Sequence, residues 1–99
     1  MDRSTWALPA IFQLISQLGN VPLPDLERTL NLGVGMVAIV DPSAADAAVA
    51  HLTARGLPSW VMGTVDRIDP DADHGGPDWV QGAKGVDGGA VRMVNAYTG

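Results

Sequence analysis

Arg28-Thr29-Leu30-Asn31-Leu32-Gly33-Val34-Gly35-Met36, continuing without a break into Val37-Ala38-Ile39-Val40, is the stretch from which the rest is read. A polar turn and two glycines one residue apart lead into five apolar residues, and Asp41-Pro42 follows. Short, β-branched and flanked by breakers, residues 36–40 predict a core strand buried on both faces. Gly33 and Gly35 permit backbone angles closed to other residues, so the entry turn predicts close approach of another chain or a ligand. The plainer reading of the pair is a bend at a strand end. The spacing also satisfies G-x-G-x-x-A, with Ala38 in the last place. A dinucleotide fingerprint, however, follows a strand and opens a helix. Here the glycines precede the strand, which excludes that reading.

Working outward, the amino-terminal side predicts two helices. Leu8, Ile11, Phe12, Ile15 and Leu18 recur at helical spacing after a lead-in from Ser4. Pro9 suits the first helical position, and Gly19-Asn20 supplies the stop. The stripe is wide enough to imply burial on more than one side. Val21-Pro22-Leu23-Pro24 is a stiff connector. Pro24 opens a short second helix, with Asp25 and Glu27 in its first turn, that must end by about Asn31.

On the carboxy-terminal side, Ser43 and Asp46 have the spacing of a capping box for an alanine-rich helix over residues 44–55. Its inner face is Ala45, Ala48, Val49 and Leu52, small enough for close packing on a sheet. Gly56 and Pro58 end it. Residues 59–68 alternate as a second strand. Residues 69–89 hold half the glycines of the chain, two prolines and five aspartates. They read as a long flexible loop with a brief strand at Trp79-Val80-Gln81. Residues 90–97 read as a closing strand. The organisation expected is therefore one α+β domain with helices packed on one small mixed or antiparallel sheet. Residues 1–68 carry it, 69–89 form the loop and 90–99 the closing strand and tail.

Composition bounds the function. The net charge of −5, with six Lys and Arg spread over 99 residues, argues against nucleic acid. No cysteine is present, so thiolate metal sites and disulfides are excluded. No apolar run reaches the ~18 residues of a membrane span, and no signal peptide is visible. A cytoplasmic protein without membrane partners is the expectation. Asp69-x-Asp71-x-Asp73 lacks the glycine and glutamate of a calcium loop, since His74 and Val80 stand in those places. His51 and His74 have no partner at ligand spacing, and no serine sits in a nucleophile elbow. No metal site is expected and no catalytic residue is identified. Arg28 and Thr29, beside Asn31 and the glycines, form the polar group suited to a phosphate or carboxylate. The plainer alternative pairs Arg28 with Asp25 and uses Thr29 and Asn31 as helix caps.

Taken together, Trp6-Ala-Leu-Pro9-Ala-Ile11-Phe12, Gly19-Asn20-Val21, the block from Arg28 to Val37, Gly56 and Trp60-Val61-Met62-Gly63-Thr64-Val65 carry a family resemblance. In this order they resemble the carboxy-terminal part of phosphoribosylformylglycinamidine cyclo-ligase, or AIR synthase, of purine biosynthesis. The resemblance covers about residues 4–68. Leu30 departs from it, standing where the family usually has phenylalanine. The resemblance implies an ATP-dependent ligase. ATP phosphorylates the formyl oxygen of formylglycinamidine ribonucleotide, and a nitrogen of the same substrate closes the imidazole ring. ATP and Mg2+ are bound by an amino-terminal domain that this chain lacks, so the chain reads as a fragment, inactive and cofactor-free alone. Asn31, Gly33, Gly35 and Met36 are then expected to line the cleft for the ribonucleotide substrate, with Arg28 and Thr29 supporting the turn. Self-association as a homodimer, by exchange of the amino-terminal segment, is the expected assembly. The competing expectation is a stand-alone α+β binding or dimerisation module without catalysis.

Overall fold

The structure, a computed structural model, describes residues 1–67, 71, 76–81 and 89–98. Three helices, α1 (Ala10–Gly19), α2 (Leu23–Thr29) and α3 (Ala45–Ala54), precede a two-stranded antiparallel ribbon of β1 (Trp79–Gln81) and β2 (Ala90–Arg92). Val80 pairs with Val91 at its centre. The class is α+β, as the sequence predicts.

Local chemistry explains the helices. Pro9 stands just outside α1 with φ −56 and ψ 144, so the helix opens at Ala10. Its end is made by Asn20, not Gly19: Asn20 has φ 50, and its N–H donates to the Ser16 carbonyl. Asparagine tolerates that left-handed geometry better than other non-glycine residues. α2 carries Pro24 in its first turn, and the N–H of Leu30 donates to the Leu26 carbonyl at its end. Before α3, Asp41 rather than Ser43 is the cap. Its carboxylate accepts from the Ser43 N–H at 2.9 Å and the Ser43 hydroxyl at 2.7 Å, opening a 3-10 turn at Pro42–Ala44. Asp46 takes no part in capping. Gly56, with φ +83, stops α3 as expected.

Long-range order comes from the two ends of the chain. The Met1 ammonium donates to the Arg92 carbonyl, Asp2 N–H to Met62, Arg3 N–H to Val94, and Val94 N–H to Met1. Asp2 bridges Val94 and Ala7 bridges Thr98, both in parallel. The first segment thus lies alongside the last. Among the described residues, Trp6, Leu26, Leu32 and Met93 are the buried apolar ones. They come from the amino-terminal segment, α2, the following turn and the stretch after β2, so the core lies where these four meet.

Several expectations are corrected. Residues 36–40 form no strand and are exposed. A strand buried on both faces needs a hydrogen-bonded neighbour and a covering layer, and the described residues supply neither. Residues 59–67 likewise form no strand, and residue 68 lies outside the described residues. The closing strand contracts to Ala90–Arg92, continued only by the bridges at Val94 and Thr98. The brief strand at 79–81 is present; the rest of the 69–89 loop lies largely outside the described residues. α1 packs on α2, and among the described residues no helix packs on the ribbon. α1 buries no residue fully, and Leu18 is 78% exposed, so its wide stripe is not enclosed. α3 does not use its small face to pack on a sheet: Ala45, Ala48 and Val49 are only half-buried.

Candidate functional site

α2 ends where the decisive stretch begins, and the chain turns at once. The Val34 N–H donates to the Asn31 carbonyl at 3.0 Å, closing a four-residue turn. Its central residues, Leu32 and Gly33, have φ 54 and φ 94, the mirror-image form that glycine favours and leucine does not. The Asn31 carboxamide oxygen accepts from the Gly33 N–H at 3.0 Å, a side-chain clamp on the same turn. The strain at Leu32 is of the order of 1–2 kcal/mol. Burying its side chain, which is 4% exposed, contributes about 1.5–3 kcal/mol in return. The Leu32 carbonyl also accepts from the Trp6 indole N–H at 3.2 Å. Tertiary packing therefore holds the corner in its shape.

The two glycines differ. A Cβ on Gly33 would lie 2.7 Å from the Pro9 ring, so this glycine is required by both backbone and neighbour. A Cβ on Gly35 would meet nothing within 4 Å, and Gly35 has no positive φ. Met36 beside it is 89% exposed.

A cleft of about 290 Å3 opens beside the corner. Asn31, Val34 and Val37 line it from the turn, and Val80, Val91 and Met93 from the ribbon and the residue after it. Of the residues expected to contact substrate, Asn31 alone borders this cleft. Gly33, Gly35 and Met36 are exposed and do not line it, although they alternate with residues that do. Arg28 and Thr29 are exposed on the last turn of α2. The Thr29 hydroxyl donates to the Asp25 carbonyl at 2.8 Å, and no Arg28–Asp25 ion pair forms among the described residues.

Sequence reasoning missed the polar centre at the cleft. Arg3 grips Glu27 with two hydrogen bonds, Nε to Oε1 at 2.6 Å and a terminal nitrogen to Oε2 at 3.1 Å. The Tyr97 hydroxyl donates to Glu27 Oε1 at 2.8 Å. Arg3 also donates to the Asn95 carbonyl. Glu27 is the only glutamate and Tyr97 the only tyrosine in the chain, the one signal sequence could offer. Burial pushes Glu27 up, but the bonds from Arg3 and Tyr97 together outweigh it and hold the carboxyl below its ordinary range. Burial, and then the Glu27 carboxylate, push Tyr97 up to about 12. The Tyr97 ring meets Trp6 edge-on at 5.1 Å, and Trp6 meets Trp60 at 6.0 Å.

In this arrangement the three side chains satisfy one another. Both oxygens of Glu27 are occupied, and Tyr97 keeps its proton at neutral pH. Among the described residues no three His, Asp or Glu side chains converge as metal ligands. These residues therefore do not fit a magnesium–triphosphate site, which needs oxygen ligands around the metal.

The phosphoribosylformylglycinamidine cyclo-ligase of Anaeromyxobacter dehalogenans is 41% identical over 70 residues, 71% of this chain and 20% of that protein. That of Burkholderia cenocepacia is 42% identical over 65 residues, 66% of this chain and 18% of that protein. A Streptomyces fradiae protein provisionally named for the same enzyme is 42% identical over 74 residues, 75% of this chain and 41% of that protein. The resemblance read from the sequence is borne out. This chain spans between 18% and 41% of the length of these relatives. No family model matches it, and no solved structure does.

Proposed function

We propose that this chain, homologous over most of its length to a part of the phosphoribosylformylglycinamidine cyclo-ligases, is the carboxy-terminal portion of such an enzyme. Its share of the work is to present the backbone of residues 31–36 to the ribonucleotide substrate. The enzyme's reaction is the ATP-dependent closure of the imidazole ring of aminoimidazole ribonucleotide in purine biosynthesis, in the cytoplasm. ATP and Mg2+ belong to the amino-terminal domain, the partner this chain requires. Alone, the chain is inactive.

The observation that carries this reading is Gly35. Neither its backbone angle nor any neighbour within this chain demands glycine there. A glycine that folding does not need is explained by something outside the chain approaching the main chain closely. Asn31, clamped by its bond to Gly33 and bordering the cleft, supplies a carboxamide at the same corner. Arg28 stands exposed one turn earlier, a cation within the same short stretch for a substrate phosphate.

The test is Gly35→Val in an intact cyclo-ligase carrying this stretch. Ring closure is expected to fall by about 100-fold or more, the cost of one misplaced backbone contact to the reacting substrate. The same substitution in the 99-residue chain is expected to leave the urea midpoint nearly unchanged, within the ~0.5 kcal/mol typical of open surface positions. Unchanged turnover removes the assignment.

A further inference from the structure

We infer that Trp6 is a positioning residue for ring closure: its indole N–H holds the peptide from which the substrate-facing backbone leaves the core. The inference rests on the cyclo-ligase reading above and adds the side chain through which the fold sets that backbone. One peptide is tied at both ends. The peptide joining Leu32 to Gly33 offers its carbonyl to the Trp6 indole N–H at 3.2 Å and its N–H to the Asn31 carboxamide oxygen at 3.0 Å. The first bond is buried and joins residues 26 apart; the second is exposed and local. A planar peptide turns only about the dihedral angles that flank it, so a bond at each end fixes its direction. Leu32 has φ 54, a conformation leucine holds only when its surroundings impose it. The Val34 N–H closes the turn on the Asn31 carbonyl, and Gly35 follows at once. A tilt of the Leu32–Gly33 peptide is carried directly into Gly35.

Trp6 is itself set by parts of the chain far from the corner. It is buried, and its carbonyl accepts from the Thr98 N–H at 3.3 Å. Its ring meets Tyr97 edge-on at 5.1 Å. The Tyr97 hydroxyl donates to Glu27 of α2, the helix that ends just before the corner. α2, the carboxy-terminal segment and Trp6 form a closed circuit, and the Leu32 carbonyl is where that circuit grips the corner.

Trp60 supplies the contrast. Its ring meets that of Trp6 at 6.0 Å, but its indole nitrogen is buried with no hydrogen-bond partner among the described residues. The two indoles share one aromatic cluster and differ in whether the N–H holds the backbone. If Trp6 only packs, losing either indole has the same consequence. If it positions the corner, only Trp6 matters to turnover.

Trp6→Phe and Trp60→Phe, made beside Gly35→Val in an intact cyclo-ligase carrying this chain's sequence, test this. Trp6→Phe is expected to lower kcat and kcat/KM alike by about 10-fold, the effect of one lost hydrogen bond felt in the transition state. Trp60→Phe should turn over as wild type does. In the 99-residue chain, Trp6→Phe should raise hydrogen exchange of the Gly33 and Val34 amides by about 10-fold while the α1 amides keep theirs. Replacing Trp6 by benzothienylalanine, which has the same shape with sulfur in place of the N–H, repeats the test should Trp6→Phe not fold. Equal losses from Trp6→Phe and Trp60→Phe assign both to packing and overturn the inference. So does wild-type turnover of Trp6→Phe beside an impaired Gly35→Val, a result that leaves the cyclo-ligase reading standing. Wild-type turnover of all three variants overturns that reading and the inference with it.

Discussion

Gly33→Val is expected to destabilise the chain by about 3 kcal/mol, combining left-handed backbone strain of about 1–3 kcal/mol with overpacking of about 1–3 kcal/mol. The first contribution follows from φ +94 and the second from the 2.7 Å approach to the Pro9 ring. Nothing nearby yields easily, because the proline ring is rigid and leads directly into α1. The measurement is urea unfolding, read as a shift of midpoint at constant slope. A double-mutant cycle separates the two effects. Pro9→Ala removes the ring while leaving the turn, so Gly33→Val in that background should recover about 1–2 kcal/mol of the loss as coupling between neighbours. The backbone part should persist. Gly35→Val, two residues away, is the internal control. If both valine variants unfold at the wild-type midpoint, the corner does not have the shape described. For a domain whose described residues include four buried apolar side chains, a loss of this size is a large part of the total stability.

What was legible in the sequence was what local chemistry decides. The three helices were readable because prolines, alanines and stop residues act within a turn of where they stand, and only details of capping moved, to Asn20 and Asp41. The turn at Asn31 was readable from its glycine, although the positive φ of Leu32 was not, since only burial against Trp6 and α2 makes leucine tolerable there. Strands were less legible. The β-branched run at 36–40 has the composition of a core strand, but composition cannot supply the neighbour that would pair with it, and the described residues contain none. The short pairing at 79–81 was visible because it needs only a nearby return strand. The Arg3–Glu27–Tyr97 centre was illegible for a related reason. Its partners are separated by 24 and 70 residues, and nothing local in any of them marks the others.

That centre gives the second large effect. Glu27→Gln is expected to cost about 2 kcal/mol at pH 7, below the 3–5 kcal/mol of a fully enclosed pair because Arg3 keeps some access to water. The charge on Arg3 then faces an amide that balances it poorly, and the Tyr97 hydroxyl loses its anionic acceptor. The pH dependence has two limbs. Glu27 has its pKa lowered on folding, so its contribution is full above the unfolded value of about 4.3 and is lost as pH falls through the folded value. Tyr97 has its pKa raised from 10.0 to about 12, so its contribution is full below 10 and is lost as pH rises from 10 toward 12. Wild type should therefore lose stability at both ends, while Glu27→Gln lacks the acid limb, and the gap between the two proteins should close only as pH falls through the lowered folded value of Glu27, beyond which both carry a neutral side chain. Tyrosinate absorbance at 295 nm, read directly after a pH jump, provides a measure independent of unfolding. The wild-type midpoint should lie near 12. In Glu27→Gln it should fall toward 10 without reaching it, because burial remains when the carboxylate is gone. An unmoved tyrosine midpoint would show that Glu27 does not hold Tyr97, whatever the variant does to stability.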